Sequence, residues 1–243
     1  MYRFGRSVAS LACPLQLDEG AVGAVAAWHQ LEYPRLVRAT SLTRALEAMA
    51  SMAKGSPYSL RPDDAKRRLV DDLARLCSEA NVKPVVIGGL AVNHHGYMRF
   101  TADVDILVAR AEVVGLYRRL RSEPGWKKHA EGFKNTVLGV GLDVCVEGER
   151  TAPRSREELP DPAELAVIDV GPLPVPELSE LLALKVMSGR ARDDADVVEL
   201  LKRHASRTTT LNKAASRRLR TSEARARLAA LVTRAKAEAA RRR

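Results

Sequence analysis

Apolar and polar residues alternate regularly only after Leu60. The segment that follows Pro62 carries apolar residues at helical spacing, namely Leu69, Leu73, Leu76 and Ala80. This spacing predicts a helix, because residues three and four apart share one helix face. Residues 1–58 are weakly patterned by comparison, although parts have helical character, notably 41–52. They are therefore expected to form an extension that precedes the organised part of the chain.

Short apolar runs and helical patterns alternate beyond the first helix. Strands are predicted at 82–87, 102–108 and 166–170, and 136–146 is expected to hold two strands joined near residues 139–141. Helices are predicted at 90–97, 111–120, 177–187 and 193–204. One domain is therefore expected over 59–204, followed by an Arg/Ala-rich tail at 205–243 that is helical or disordered.

The formal net charge of +10 is confined to the end of the chain. The segment from Lys202 to Arg243 has 14 basic and two acidic residues, whereas residues 1–201 have 26 basic and 28 acidic ones. The tail is therefore interpreted either as solvated chain or as a segment that binds RNA, DNA or an acidic partner electrostatically. It lacks the interleaved aromatic residues that stack on bases, which favours the first interpretation.

The cysteine spacing and the hydropathy indicate in which cellular compartment the protein is expected. Cys13, Cys77 and Cys145 are scattered without C-x-x-C spacing, which argues against a disulfide framework or a structural zinc site. No run approaches the ~18–20 apolar residues of a membrane span. A cytoplasmic protein without a membrane partner is therefore expected.

The predicted strand at 82–87 ends in Gly88-Gly89, where a helix is expected to begin. Glycines at such a junction expose backbone N–H groups and admit a phosphate without a Cβ clash. Many turns share this pattern, so the glycines alone are a weak signal. The acidic residues that follow strengthen the prediction of a phosphate-binding site.

Three aspartates lie on predicted strands. Asp103 and Asp105 are two residues apart, so they point to one strand face about 6.6 Å apart along the chain. Asp143 alternates with apolar neighbours on a later strand. If the two strands are neighbours, three carboxylates converge, which is the arrangement needed to bind two Mg²⁺ ions for phosphoryl transfer. The alternative without a functional role is that these aspartates lie on a solvated strand face.

Together these motifs resemble the polymerase-β-like nucleotidyltransferase superfamily. Gly88-Gly89, then Arg99-x-Thr101-x-Asp103-x-Asp105 and a later strand aspartate, are similar to the small bacterial branch. That branch includes the toxins of abortive-infection (type IV) toxin–antitoxin pairs. The resemblance implies an α/β (α+β) nucleotidyltransferase fold, with a mixed sheet flanked by helices and a helical C-terminal part. It also implies a nucleoside triphosphate (NTP) substrate, Mg²⁺, and metal-binding catalytic roles for the three aspartates.

The resemblance extends to the predicted C-terminal helices. Lys185, on an apolar helix face, and the Arg-Asp-x-x-Asp helix with Asp193 and Asp196 resemble a triphosphate-binding element of the toxin-like families. A snorkelling lysine and an N-capping Asp193 are the structural alternatives. Arg99 and Thr101 are expected to orient the aspartates or to touch phosphate, and Arg99 could instead pair with Asp103. Gly88 and Gly89 complete the predicted nucleotide-binding set.

The leading functional expectation is transfer of a nucleoside monophosphate from an NTP to an acceptor such as tRNA. A small-molecule acceptor, for example an antibiotic hydroxyl, is the nearest alternative. A third alternative is a non-catalytic nucleotide-binding or antitoxin-type partner protein. The toxin-like resemblance implies a cognate antitoxin as a protein partner. Retention of all three aspartates favours an enzyme.

Overall fold

The computed structural model describes residues 58, 60, 64–130, 132–151 and 156–241 of the 243-residue chain. The predicted helix at 41–52 and Cys13 lie outside these residues. The strands are β1 (Val85–Ile87), β2 (Val104–Val108), β3 (Trp126–His129), β4 (Gly132–Asn135), β5 (Val140–Val146), β6 (Val167–Ile168) and β7 (Val175–Pro176). The α-helices are α1 (Ala65–Glu79), α2 (Gly88–His94), α3 (Val113–Ser122), α4 (Leu178–Ser188), α5 (Ala191–Arg203), α6 (Thr208–Arg218) and α7 (Ser222–Ala240).

Five strands form one mixed sheet in the order β1-β2-β5-β4-β3, and β6 pairs with β7 separately. Strands β2 and β5 run parallel, whereas the other neighbours in the large sheet are antiparallel. The expected α/β class, with a mixed sheet flanked by helices and a helical C-terminal part, is confirmed.

The structure differs from the predicted strand pattern around residue 136. The hairpin that precedes β5 is β3–β4, and residues 136–139 form the turn between β4 and β5. The side chain of Asn135 accepts hydrogen bonds from the N–H groups of Val137 and Leu138, at 3.1 and 3.0 Å. This local bonding closes the turn, so the predicted pair of strands within 136–146 is one strand.

Helices α1 and α3 cover one face of the sheet. Asp64 caps α1 by accepting a hydrogen bond from the N–H of Lys66 at 2.8 Å. The side chains buried at this interface are apolar, including Leu69, Leu73, Leu116, Leu120, Phe133 and Leu142. Burial of this apolar surface is the main stabilising contribution to the domain. The opposite face of the sheet combines polar side chains, such as Asp143 and Lys134, with buried apolar ones, such as Leu107.

The tail forms two helices, α6 and α7, which pack against α4 and α5. Their buried side chains include Leu211, Ala215, Leu228, Leu231 and Val232. Arg218 pairs with Glu180 of α4 at 2.8 Å, and Arg227 pairs with Asp194 of α5 at 2.6 Å. Much of the tail's charge is therefore used within the molecule. Among the helices described, none combines the length and apolarity needed to cross a membrane.

Tyr58 lies in the core although it falls within the predicted extension. Its hydroxyl donates to the carbonyl of Leu173 and accepts from the Leu173 N–H at 3.1 Å. Burial raises the pKa of this phenol to about 12. The described core thus includes Tyr58, the last residue of the predicted extension.

Candidate active site

Gly88 and Gly89 form the junction between β1 and α2. Gly88 has a φ of +62°, and a Cβ there would lie 1.9 Å from Oδ2 of Asp105. A Cβ on Gly89 would lie 2.5 Å from Oγ1 of Thr101. The N–H of Gly89 donates to Oδ2 of Asp105 at 3.4 Å. Both positions therefore exclude side chains because the carboxylate and hydroxyl of the predicted site pack directly on this junction.

The parallel pairing of β2 with β5 brings the predicted aspartates onto one face. Asp105 is in register with Asp143. Asp103 immediately precedes β2, and a Cβ on Gly141 would lie 2.3 Å from its Oδ1. The missing side chain at Gly141 thus makes room for the Asp103 carboxylate. We call Asp103, Asp105 and Asp143 the carboxylate face.

The electrostatics of the carboxylate face centre on Asp105. Burial, followed by repulsion from Asp143, raises the pKa of Asp105 to about 6 from an ordinary value of 3.8. Attraction by Lys185, the hydrogen bond from Gly89 and attraction by Arg99 oppose this rise. Asp143 is exposed, so one carboxylate of the pair lies within the protein and the other opens to solvent. Such a pair gains stability when a cation compensates its charge.

The donor set of the carboxylate face is compatible with Mg²⁺. Among the described residues, no group of three or more His, Cys, Asp or Glu side chains is arranged to hold a metal ion as it stands. Mg²⁺, however, commonly takes only one or two protein carboxylates and completes its octahedron with water and substrate phosphates. Asp105 and Asp143 supply such oxygens, and a bound cation would offset the burial of the Asp105 anion and its repulsion from Asp143, the two causes that raise its pKa. The metal-binding roles stay predictions.

Lys185 is buried and has acidic partners within the chain. Its Nζ lies 2.5 Å from Oδ1 of Asp193 and 3.0 Å from Oδ2 of Asp196. The snorkelling alternative is therefore wrong, because the ammonium group does not reach out to solvent. The anionic partner that an apolar helix face requires comes from α5.

Asp193 does not cap helix α5, and Arg99 does not pair with Asp103. Helix α5 begins at Ala191, so Arg190 occupies the N-cap position and Asp193 lies inside the first turn. Asp193 binds Lys185 and also accepts from Ser188 Oγ at 2.5 Å. Although burial opposes it, attraction by Lys185 lowers the pKa of Asp193. The N-cap alternative is therefore wrong.

Arg99 pairs with Asp196, not with Asp103. Its Nε lies 2.7 Å from Oδ1 of Asp196, and a terminal nitrogen lies 2.8 Å from Oδ2. The side chain of Asp196 is only 1% exposed, so this ion pair, with one hydrogen bond from the terminal nitrogen of Arg99, is largely removed from water. Arg99, Asp196, Lys185 and Asp193 therefore form one buried chain of alternating charge, which we call the charge network.

Three supporting residues were not singled out by the sequence patterns. Gly141 makes room for Asp103, Ser188 binds Asp193, and the Asn93 side chain accepts a hydrogen bond from the Arg99 N–H at 3.0 Å. Only Gly141 had a detectable signal, because it lies two residues before Asp143 and so shares its strand face. Thr101, which was predicted, donates its hydroxyl to the Asp103 carbonyl at 3.1 Å.

Comparison with known proteins gives distant structural likenesses. No protein-family model and no curated protein matches the sequence. An antigenic nucleotidyltransferase-like protein from Paracoccidioides brasiliensis is 17% identical over 58% of this chain and 76% of its own, with a TM-score of 0.41. ANT(2″)-Ia, solved with adenylyl-2″-tobramycin, is 12% identical over 69% and 97%, with a TM-score of 0.34. A STING-associated CdnE c-di-GMP synthase from Capnocytophaga granulosa is 10% identical over 93% of both chains, with a TM-score of 0.34.

Proposed function

We propose that this protein is a Mg²⁺-dependent nucleotidyltransferase that moves a nucleoside monophosphate from an NTP to an acceptor hydroxyl. The observation that carries the proposal is the register of Asp105 with Asp143 on parallel strands, directly beside the Gly88-Gly89 junction. Carboxylates and a glycine junction in contact can hold a cation and the phosphates that it neutralises.

Each part of the site has a role in the proposed reaction. Mg²⁺, when bound by the carboxylate face, would neutralise phosphate charge and lower the pKa of the acceptor hydroxyl. The Gly88-Gly89 junction packs directly against the Asp105 carboxylate and the Thr101 hydroxyl, and the Gly89 N–H donates to Asp105, so the junction holds this carboxylate where it would bind the metal. The exposed Asp143 carboxylate takes the hydroxyl proton as the acceptor oxygen bonds to the α-phosphorus and pyrophosphate leaves.

We propose that Lys185 supplies positive charge to the triphosphate from within the charge network. An ammonium group has three donor hydrogens, and Asp193 and Asp196 account for two partners. Attraction by Lys185 opposes the rise in the pKa of Asp105, which supports a role for this lysine beside the carboxylate face. A lysine fixed in this way needs no reorganisation when phosphate charge develops.

We propose RNA, with tRNA as the leading candidate, as the acceptor, and a toxin-like role with a cognate antitoxin as its biological setting. The setting depends on the motif resemblance alone. An antibiotic-type small molecule is the alternative acceptor. A non-catalytic nucleotide-binding or antitoxin-type partner protein is the alternative function.

The test is transfer of label from each α-labelled NTP to total cellular RNA with Mg²⁺, using wild type, Asp105→Asn and Asp143→Asn. Both variants keep side-chain shape but remove a charge, so label transfer should fall by at least about 10²-fold. Asp72→Asn, which changes an exposed carboxylate on α1, is the matched control and should retain wild-type rates. Wild-type transfer by either site variant would refute the assignment.

A further inference from the structure

The polar sheet face extends beyond the carboxylates to the edge of the sheet. Gly141 of β5 pairs with Lys134 of β4, and Lys134 pairs with Lys127 of β3. Directly paired residues point to the same face, so Lys127 and Lys134 share the face of Asp103 and Asp143. His129, two residues after Lys127, points the same way. We call Lys127, His129 and Lys134 the lysine face.

The lysine face is exposed and its lysines lack acidic partners among the described residues. All three side chains are exposed. None of the salt bridges within the described ranges includes Lys127 or Lys134. Like charges directly opposite each other destabilise a hairpin, so the ammonium groups of Lys127 and Lys134 do not stabilise the pairing of β3 with β4. This contrasts with the tail, where Arg218 and Arg227 are already paired with acids.

Lys128, between the two positions of the lysine face on β3, serves a different purpose. It pairs with Phe133, and its Nζ lies 5.4 Å from the centroid of that ring and 5.1 Å from that of Tyr117. It therefore belongs to the face covered by α3, where cation–π contacts hold it. The strand thus separates a packing lysine from the lysines of the open face.

The strand order places the lysine face and the glycine junction on opposite sides of the carboxylates. The junction follows β1 beside Asp105, whereas β4 and β3 lie beyond Asp143. With neighbouring strands about 4.8 Å apart, Lys134 lies one strand spacing and Lys127 two spacings from β5. Positive charge on that side is close enough to hold a second polyanion whose hydroxyl meets the carboxylate face. The triphosphate side already has the Gly88-Gly89 junction and Lys185.

We propose that the lysine face binds the phosphate backbone of an RNA acceptor and directs its reacting hydroxyl to Asp143. This inference depends on the proposed nucleotidyltransferase function for its catalytic meaning, but RNA binding itself can be measured separately. The competing explanation is that edge-strand lysines only prevent sheets from pairing edge to edge.

The test compares the double variant Lys127→Gln/Lys134→Gln with Lys128→Gln, a matched control from the same hairpin. Binding of total tRNA is titrated at several salt concentrations in the full-length protein. Loss of two phosphate contacts should weaken RNA binding about tenfold or more and lower the salt slope by about 1–2. NTP affinity should not change, and Lys127→Arg/Lys134→Arg should retain RNA binding. Circular dichroism verifies that each variant is folded.

The outcomes separate this inference from the proposed function. Unchanged RNA affinity and salt slope in the folded Gln variant would overturn the lysine face, even if label transfer is intact. Weakened NTP binding in that variant would also overturn it, because the lysines would then serve the triphosphate. Weakened RNA binding in a protein whose wild type transfers no label would support the lysine face while refuting the catalytic proposal.

Discussion

The protonation of Asp105 should make the stability of the protein depend on pH. Its folded-state pKa of about 6 lies above the ordinary value of 3.8, because burial and Asp143 disfavour the anion. The folded protein therefore binds more protons than the unfolded chain between about pH 4 and 6. By linkage, the contribution of Asp105 to stability falls as pH rises through this window and stays low above it.

This reasoning predicts the pH dependence of Asp105→Asn in the absence of Mg²⁺. The free energy of unfolding of the variant should equal that of wild type near pH 4. Above pH 6 it should exceed that of wild type by an amount on the order of 1–3 kcal/mol. Urea unfolding at a series of pH values measures the difference. Addition of Mg²⁺ at pH 7.5 should stabilise wild type but not the variant. A difference that does not change between pH 4 and 7 would contradict the assigned environment of Asp105.

Gly141 offers a second test at the scale of one residue. Gly141→Ala places a methyl group 2.3 Å from the present position of Asp103 Oδ1, so the carboxylate must move. Label transfer should fall by about 10²-fold while the fold remains, since small displacements of a catalytic group have effects of that size. Gly115→Ala, whose Cβ would meet only the Ala80 carbonyl at 3.8 Å, is the control and should be fully active. Equal activity of the two variants would show that Asp103 is dispensable.

At the scale of elements, two of the three aspartates of helix α5 are expected to contribute very differently to stability. Asp196 neutralises both Arg99 and Lys185 in the buried charge network, whereas Asp194 pairs with the partly exposed Arg227. Asp196→Asn should cost about 3–5 kcal/mol, because it leaves Arg99 without its counter-charge and leaves Lys185 with Asp193 alone. Asp194→Asn should cost about 1 kcal/mol or less. Thermal and urea unfolding compare the two, and similar losses would mean that the charge network does not stabilise α5.

At the scale of the whole molecule, the C-terminal tail is a packed part of the structure. Truncation after Arg207 would remove α6 and α7 and expose the apolar residues of α4 and α5 that they cover. We expect the truncated protein to lose cooperative unfolding or most of its stability. Removal of Arg242 and Arg243 alone, which lowers the charge by two, is the control and should leave unfolding unchanged. A truncated protein with wild-type stability would restore the interpretation of the tail as an appendage.

Much of the element pattern could be predicted from the sequence, because helix α1 and strands β2 and β5 have clear apolar periodicity. The hairpin β3–β4 could not, since Lys127, Lys128 and His129 give a polar run with no apolar alternation. Its strand conformation depends on pairing with β5 and on the cover provided by α3. Local pattern therefore failed where the strand is an exposed edge.

The sequence by itself determined which residues share a strand face. Asp103 and Asp105 follow from a period of two, and so does the placement of Asp143 opposite its apolar neighbours. Only the tertiary structure decided that β2 and β5 are parallel neighbours in a register that sets Asp105 beside Asp143. It also decided the partners of Lys185, since side chains on two different helices meet only when those helices pack. Faces follow from local backbone geometry, whereas register and partners depend on contacts between segments that are distant in sequence.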